Sequence, residues 1–148
     1  ALVWGSLDSD GLIEGLIGRD PKNRKKFKLV NKNGKTSLTH YFIEQSLSPF
    51  TFVSLYPSTG RTHQIRVHLN SIGHPIVSDS MYGGGAKMKK SFHVKYNQLI
   101  NKVLNSINRV ALHAEELEFI HPQTSKKVKF NTPIPEDMLK ALAYLKDE

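Results

Sequence analysis

The sequence contains no cysteine, so a disulfide scaffold, a thiolate zinc site and a cysteine nucleophile are all excluded. No apolar run approaches the roughly 20 residues needed to cross a bilayer, so no transmembrane helix is predicted. Repeats, low-complexity tracts and linkers are also absent, and 148 residues fit one globular domain. The apolar opening, Ala1–Gly5, is preceded by no basic segment and followed at once by polar residues, unlike a signal peptide. The lack of cysteine fits a reducing compartment, and we expect the cytoplasm.

The charge is strongly one-sided. Twenty-one Lys and Arg face thirteen Asp and Glu, a formal net charge of +8 with His neutral. Such a surplus favours a polyanionic partner, and RNA, DNA or an acidic membrane would each satisfy it. The chain has neither a recognition helix of familiar spacing nor a strongly amphipathic basic helix, which argues against DNA and membranes. Composition alone does not decide among them.

Hydrophobic periodicity predicts an α+β fold with antiparallel strand pairs. Asn33-Gly34 is a strong hairpin signal, and His121-Pro122 opens a second hairpin. Helical spacing of apolar residues over 136–146 predicts a closing helix with Met138, Leu139, Leu142 and Leu145 inward. The other predicted helices are 62–72 and 92–107, and the predicted strands are 2–4, 11–17, 28–31, 36–44, 50–56, 110–120 and 127–131.

Residues 60–73 combine helix signals with an arginine. Gly60 permits a sharp turn, Thr62 can cap the helix and Gly73 can end it. On a helical wheel Arg61 falls on the buried side, whereas His63, Arg66 and Asn70 point elsewhere. An inward arginine requires a carboxylate partner, so Arg61 is predicted to face a cleft with an acid. A purely structural ion pair explains the same spacing equally well.

A cluster of cations follows the turn residues Pro21 and Asn23. Lys22, Arg24, Lys25 and Lys26 are predicted to lie in a loop and to contact phosphates, although a solvated loop is the simpler alternative. Residues 86–108 carry five more lysines, which either accompany a packed helix or form a second phosphate path. His63 and His68 are five residues apart and so cannot share a metal as an i, i+4 pair does; no metal site is predicted.

The stretch 60–83, GRTHQIRVHLNSIGHPIVSDSMYG, resembles the third sequence motif of the RluA-type pseudouridine synthases. The similarity extends to the opening strand Ala1–Gly5, to the basic segment Arg19–Lys26, to Thr39-His40-Tyr41 and to Leu112-His113-Ala114. It covers most of residues 1–135. The central motif is long and specific, so the chain is identified as similar to this family.

The resemblance implies an α+β fold with a mixed, largely antiparallel sheet flanked by helices, and an RNA-binding cleft across it. It implies an isomerase that converts uridine to pseudouridine in ribosomal or other structured RNA, without metal or cofactor. An essential Asp either attacks the ribose C1′ or assists loss of the 2′ proton, and the target uridine is flipped out. Arg61 corresponds to the arginine that orients this Asp, and His63, Gln64 and Arg66 are the neighbouring residues expected to shape the pocket or contact RNA.

The family's HRLD-type motif, which carries the Asp, has no counterpart here. The aspartates lie outside any such motif: Asp8, Asp10, Asp20, Asp79, Asp137 and Asp147. We therefore expect residues 1–148 to be the C-terminal part of a catalytic domain and inactive alone. An exposed strand edge is then predicted at Leu2–Trp4, where the remaining part of the domain or a second copy would bind. The alternative is a non-catalytic RNA-binding module.

Overall fold

The computed structural model describes residues 1–146, so Asp147 lies outside the described residues. Three helices and seven strands are present in that range, and none of these helices is long and apolar enough to cross a membrane. The strands are β1 (Leu2–Trp4), β2 (Gly11–Asp20), β3 (Asn23–Val30), β4 (Lys35–Leu47), β5 (Phe50–Pro57), β6 (Glu116–Ile120) and β7 (Lys127–Asn131). The helices are α1 (Gln64–Ser71), α2 (Asn97–Ser106) and α3 (Glu136–Lys146), with 3-10 turns at Ser80–Tyr82, Ala86–Ser91 and Val94–Tyr96.

The α+β class is confirmed. Five strands form one sheet in the order β1-β5-β4-β2-β3, and β6 and β7 form a separate hairpin. Every strand pair in the described part of the chain is antiparallel. Ser37 and Thr39 of β4 face α1, so the alternating residues His40 and Phe42 lie on the opposite face of the sheet.

The main core lies between β1, β5, α2 and α3. Trp4 is fully buried, its ring lies 4.8 Å from that of Phe50 and 5.4 Å from that of Phe92, and its indole N–H donates to the Gly84 carbonyl at 2.8 Å. The predicted inward residues of α3 are buried except Leu139, which is 50% exposed. The prediction for Leu139 was wrong because the inward face of α3 is the narrower stripe of Met138, Ala141, Leu142 and Leu145.

The predicted exposed edge at β1 is wrong. Residues 75–77 lie antiparallel beside β1: the Trp4 N–H donates to the Pro75 carbonyl, and the Val77 N–H donates to the Leu2 carbonyl, both at 3.0 Å. The Leu2 N–H donates to the Ala111 carbonyl at 3.0 Å. These later segments satisfy the backbone groups that an edge strand leaves open, so β1 offers no free edge for pairing.

Two expectations around the basic cluster also require correction. Residues 23–30 form strand β3 and not a loop, because β3 pairs with β2 and continues the sheet. Asn33-Gly34 does not close a hairpin between neighbouring strands, since β2 lies between β3 and β4. The chain crosses β2 at this point: a Cβ on Gly34 would lie 2.8 Å from the Leu16 Cβ, so only glycine permits this approach.

Candidate functional site

Helix α1 begins at Gln64, two residues later than the sequence pattern indicates. Its N-cap is His63, which has a left-handed backbone (φ 57°), and no side chain caps the helix. The sharp turn is therefore made at His63 and not at Gly60, and the predicted cap at Thr62 is wrong. Gly73 (φ 83°) follows the end of the helix, as predicted. Because α1 starts at Gln64, Arg61 precedes the helix and the wheel does not apply to it.

Gln64 fixes the segment that carries Arg61. Its side-chain amide is buried and donates to the Leu38 carbonyl at 2.9 Å and to the Thr39 hydroxyl at 3.0 Å. Its amide oxygen accepts from the Arg61 backbone N–H at 3.0 Å and from the Thr59 hydroxyl at 2.6 Å. Gln64 therefore anchors residues 59–61 to β4, and its side chain is enclosed by protein.

Arg61 is partly exposed, and its Nε donates to the Thr36 carbonyl at 3.0 Å. No acidic side chain among residues 1–146 forms an ion pair with it, so its pairing with a carboxylate stays a prediction. An arginine has five N–H donors, and this contact uses only one of them. The guanidinium is thus held in place through Nε while its terminal nitrogens remain available for an anion.

Arg66, unlike Arg61, has a carboxylate partner within the described chain. Arg66 Nε donates to Asp79 Oδ2 at 2.7 Å and Nη2 donates to Oδ1 at 2.8 Å, and the Asp79 side chain is 1% exposed. The hydrogen bond that Arg66 donates to Asp79 raises the pKa of Arg66, outweighing the effect of its partial burial. The Arg66 guanidinium also lies over the Tyr82 ring, 4.7 Å from its centroid. This bidentate geometry is the strong form of an arginine–carboxylate pair.

Tyr82 connects α1 with β3. Its hydroxyl accepts the Phe27 backbone N–H at 3.0 Å and lies 2.8 Å from Nδ1 of His63. The His63 ring packs edge-on against both the Phe27 and the Tyr82 rings. Burial, and secondly the charge of Arg66, lower the pKa of His63. Tyr82 thus holds His63 and β3 together, a role that no sequence pattern indicated.

His68 lies in a closed network behind α1. The Ser37 hydroxyl donates to the Gly15 carbonyl at 2.7 Å, so it must accept from His68 Nε2 at 2.9 Å. His68 Nδ1 then accepts from the Thr39 hydroxyl at 2.9 Å. Burial lowers the pKa of His68, in keeping with a neutral ring that donates at one nitrogen and accepts at the other. The network attaches α1 to β2 and β4.

Basic side chains lie along β3, the edge strand next to α1, and in the turn that precedes it. Lys22, Arg24 and Lys25 are exposed and Lys26 is half-buried. Asp20 accepts the Lys22 backbone N–H at 2.9 Å and lies 3.8 Å from Lys28 Nζ. We call Lys22, Arg24, Lys25 and Lys26 the β3 cationic surface. Among the described residues, no group of three His, Asp or Glu lies close enough to hold a metal ion.

Known proteins that resemble this chain are RNA pseudouridine synthases. A family model described as RNA pseudouridylate synthase matches residues 1–71. The chain is 38% identical over 148 residues to the ribosomal large subunit pseudouridine synthase D of Xylella fastidiosa, and covers 43% of that protein. It is 39% identical over 142 residues to an uncharacterized RNA pseudouridine synthase of Chlorobaculum parvum, again covering 43% of it. The chain thus spans less than half the length of these relatives.

Two solved human structures have the same fold. The structure of RNA pseudouridylate synthase domain containing 1 superposes with a TM-score of 0.68 at 31% identity, over 90% of this chain and 52% of that one. RNA pseudouridylate synthase domain containing 4 gives a TM-score of 0.70 at 20% identity, over 99% of this chain and 60% of that one. The second likeness concerns the fold alone.

Proposed function

The chain belongs to the RluA-type family of RNA pseudouridine synthases, and we propose that it supplies one side of the active site of such an enzyme. The protein then isomerises uridine to pseudouridine in ribosomal RNA, in the cytoplasm, without a metal or cofactor. Residues 1–148 are the C-terminal part of its catalytic domain, and the preceding part carries the nucleophilic Asp. The share of the relatives that the chain covers, 43%, supports this division.

The observation that carries the proposal is the state of Arg61. Its Nε is bound to the Thr36 carbonyl, its backbone is fixed by Gln64, and none of the acids in the described chain pairs with it. A carboxylate from another segment could therefore bind its terminal nitrogens in the bidentate geometry. Arg61 would keep that carboxylate ionised and oriented, because an adjacent positive charge favours the charged form of an acid.

The carboxylate acts on the flipped uridine in one of two ways, by attacking the ribose C1′ or by assisting loss of the 2′ proton. In both, the C1′–N1 bond breaks, the uracil turns, C5 bonds to C1′ and then loses its proton, and N1 takes up a proton. We expect His63 and Arg66 to border this position, while Gln64 holds the Arg61 backbone in place. The β3 cationic surface binds phosphates on either side of the target, which fits the net charge of +8.

The test compares two proteins on a ribosomal RNA transcript labelled with tritium at uridine C5. The 148-residue chain alone should release no tritium, because it lacks the Asp. The full-length protein should release it, and replacement of the Asp in its HRLD-type motif by Asn should abolish release. Turnover by the 148-residue chain, or a full-length protein without such a motif and without turnover, would overturn the proposal in favour of another chemistry or an RNA-binding role.

A further inference from the structure

The segment after the active-site motif has an unusual charge pattern. Residues 80–114 contain six Lys and Arg and no Asp or Glu. Arg109 is paired with Asp137 at 2.8 Å, and Lys102 lies over the Tyr144 ring. The other four cations occupy the two 3-10 turns between the motif and α2: Lys87, Lys89, Lys90 and Lys95.

An open groove of about 430 Å³ lies between these two turns. Its apolar side is formed by Phe92 and by Val94, which is 69% exposed. Its polar side carries two of the lysines; the lining residues are Ala86, Lys89, Lys90, Phe92, Val94 and Asn97. An exposed apolar wall beside ammonium groups is the combination that binds a nucleotide, whose base is flat and apolar and whose phosphate is anionic.

The groove is built on the core. Phe92 stacks on the buried Trp4 with a centroid distance of 5.4 Å, and Gly84 lies so close to Ile76 that a side chain there would collide with the Ile76 carbonyl. Lys89 Nζ donates to Asn101 Oδ1 of α2 at 2.9 Å, which leaves two of its three donors for a ligand. The segment is thus held at both ends, and little ordering would be needed on binding.

We propose that this groove binds an unpaired nucleotide of the RNA substrate outside the catalytic pocket, with the base against Phe92 and Val94 and its phosphates on Lys89 and Lys90. The inference rests on the proposed function for the identity of the polyanion. The groove lies by β1, at the sheet edge opposite β3. Four inter-strand spacings separate these edges, roughly 19 Å along the sheet. RNA bound at both the groove and the β3 cationic surface would therefore extend across the sheet.

The first test measures binding of the full-length protein to a single-stranded oligouridine RNA and to an RNA duplex of equal length, at several salt concentrations. The groove variant is K87Q/K89Q/K90Q, and the charge-matched control is K126Q/K140Q/K146Q. The groove variant should bind the single strand about tenfold more weakly, with a salt slope lower by about 2. The control should change the affinity for the single strand and the salt slope by less than twofold. An equal loss in both variants, or a loss confined to the duplex, would overturn the proposal.

A second test locates the bound RNA on the protein surface without depending on catalysis. A photo-crosslinking amino acid at Val94 should attach to single-stranded RNA, whereas the same group at Leu139, an exposed residue of α3, should not. Crosslinking at Val94 in a protein that makes no pseudouridine would show that the groove binds RNA even though the proposed reaction is wrong. Equal crosslinking at both positions, or none at Val94 while RNA is bound, would show that the groove is unoccupied.

Discussion

The guanidinium of Arg66 and the carboxylate of Asp79 meet through two parallel hydrogen bonds, 2.7 and 2.8 Å long, with Asp79 almost wholly buried. Asp79 also caps the 3-10 turn at Tyr82 by accepting its backbone N–H at 3.2 Å. Tyr82 in turn binds His63 and the backbone of β3. The pair therefore fixes the turn that joins helix α1 to the β3 cationic surface.

Replacing Asp79 by Asn should destabilise the protein by about 3 kcal/mol, since removing one partner leaves a charge that is no longer compensated. Asn keeps the shape of the side chain, so the loss reports the charge and not a cavity. Denaturant unfolding measures it, with the exposed Asp8→Asn as the control. A change of the same small size for both variants would mean that the Arg66–Asp79 pair contributes nothing to stability.

Local patterns predicted most of the fold. The helix at 136–146 could be predicted because its apolar spacing is set by one face packing on the core, and the strand at 2–4 because all three of its residues are apolar and buried. The covered edge of β1 was not, because the segments that cover it come from residues 75–77 and 111, far along the chain. Within the candidate site, the motif singled out Arg61, whose role stays a prediction, whereas the pairing of Arg66 with Asp79 depends on a contact between two elements that no periodicity reveals.

In the full-length protein, Arg61→Ala should lower turnover by about 10²–10³-fold while RNA affinity stays within about twofold, as expected for a group that acts on charge in the reaction. Arg61→Lys should restore little, because an ammonium lacks the bidentate geometry. Single-turnover kinetics and filter binding separate the two effects. A parallel loss of affinity and turnover would assign Arg61 to RNA binding, and unchanged turnover would make it peripheral.

Replacing the β3 cationic surface by alanine should weaken binding of different RNA sequences by a similar factor, and flatten the dependence of affinity on salt. Phosphate contacts carry no sequence information, which explains both expectations. Binding titrations at three salt concentrations check this, with four lysines outside the site replaced as the control: Lys126, Lys127, Lys140 and Lys146. If the affinity of the variant depended on salt as strongly as that of the unaltered protein, these side chains would be solvated and would not contact phosphates.

The stability of the protein should fall in mildly acidic solution because of His68. Burial places its folded pKa below the ordinary 6.5, so below that pH the unfolded chain binds more protons than the folded one. The contribution of the neutral ring is complete above pH 6.5 and is lost as the pH falls from there toward the folded pKa.

Since His63 has a lowered pKa too, the measurement compares urea unfolding from about pH 8 to about pH 5 for the protein and for His68→Gln and His63→Gln. The His68→Gln variant should be less stable near pH 8 and should lose less stability on acidification, because glutamine has no proton to take up. If its stability fell with pH as steeply as that of the unaltered protein, while His63→Gln removed the slope, the acid sensitivity would lie at the junction of α1 and β3.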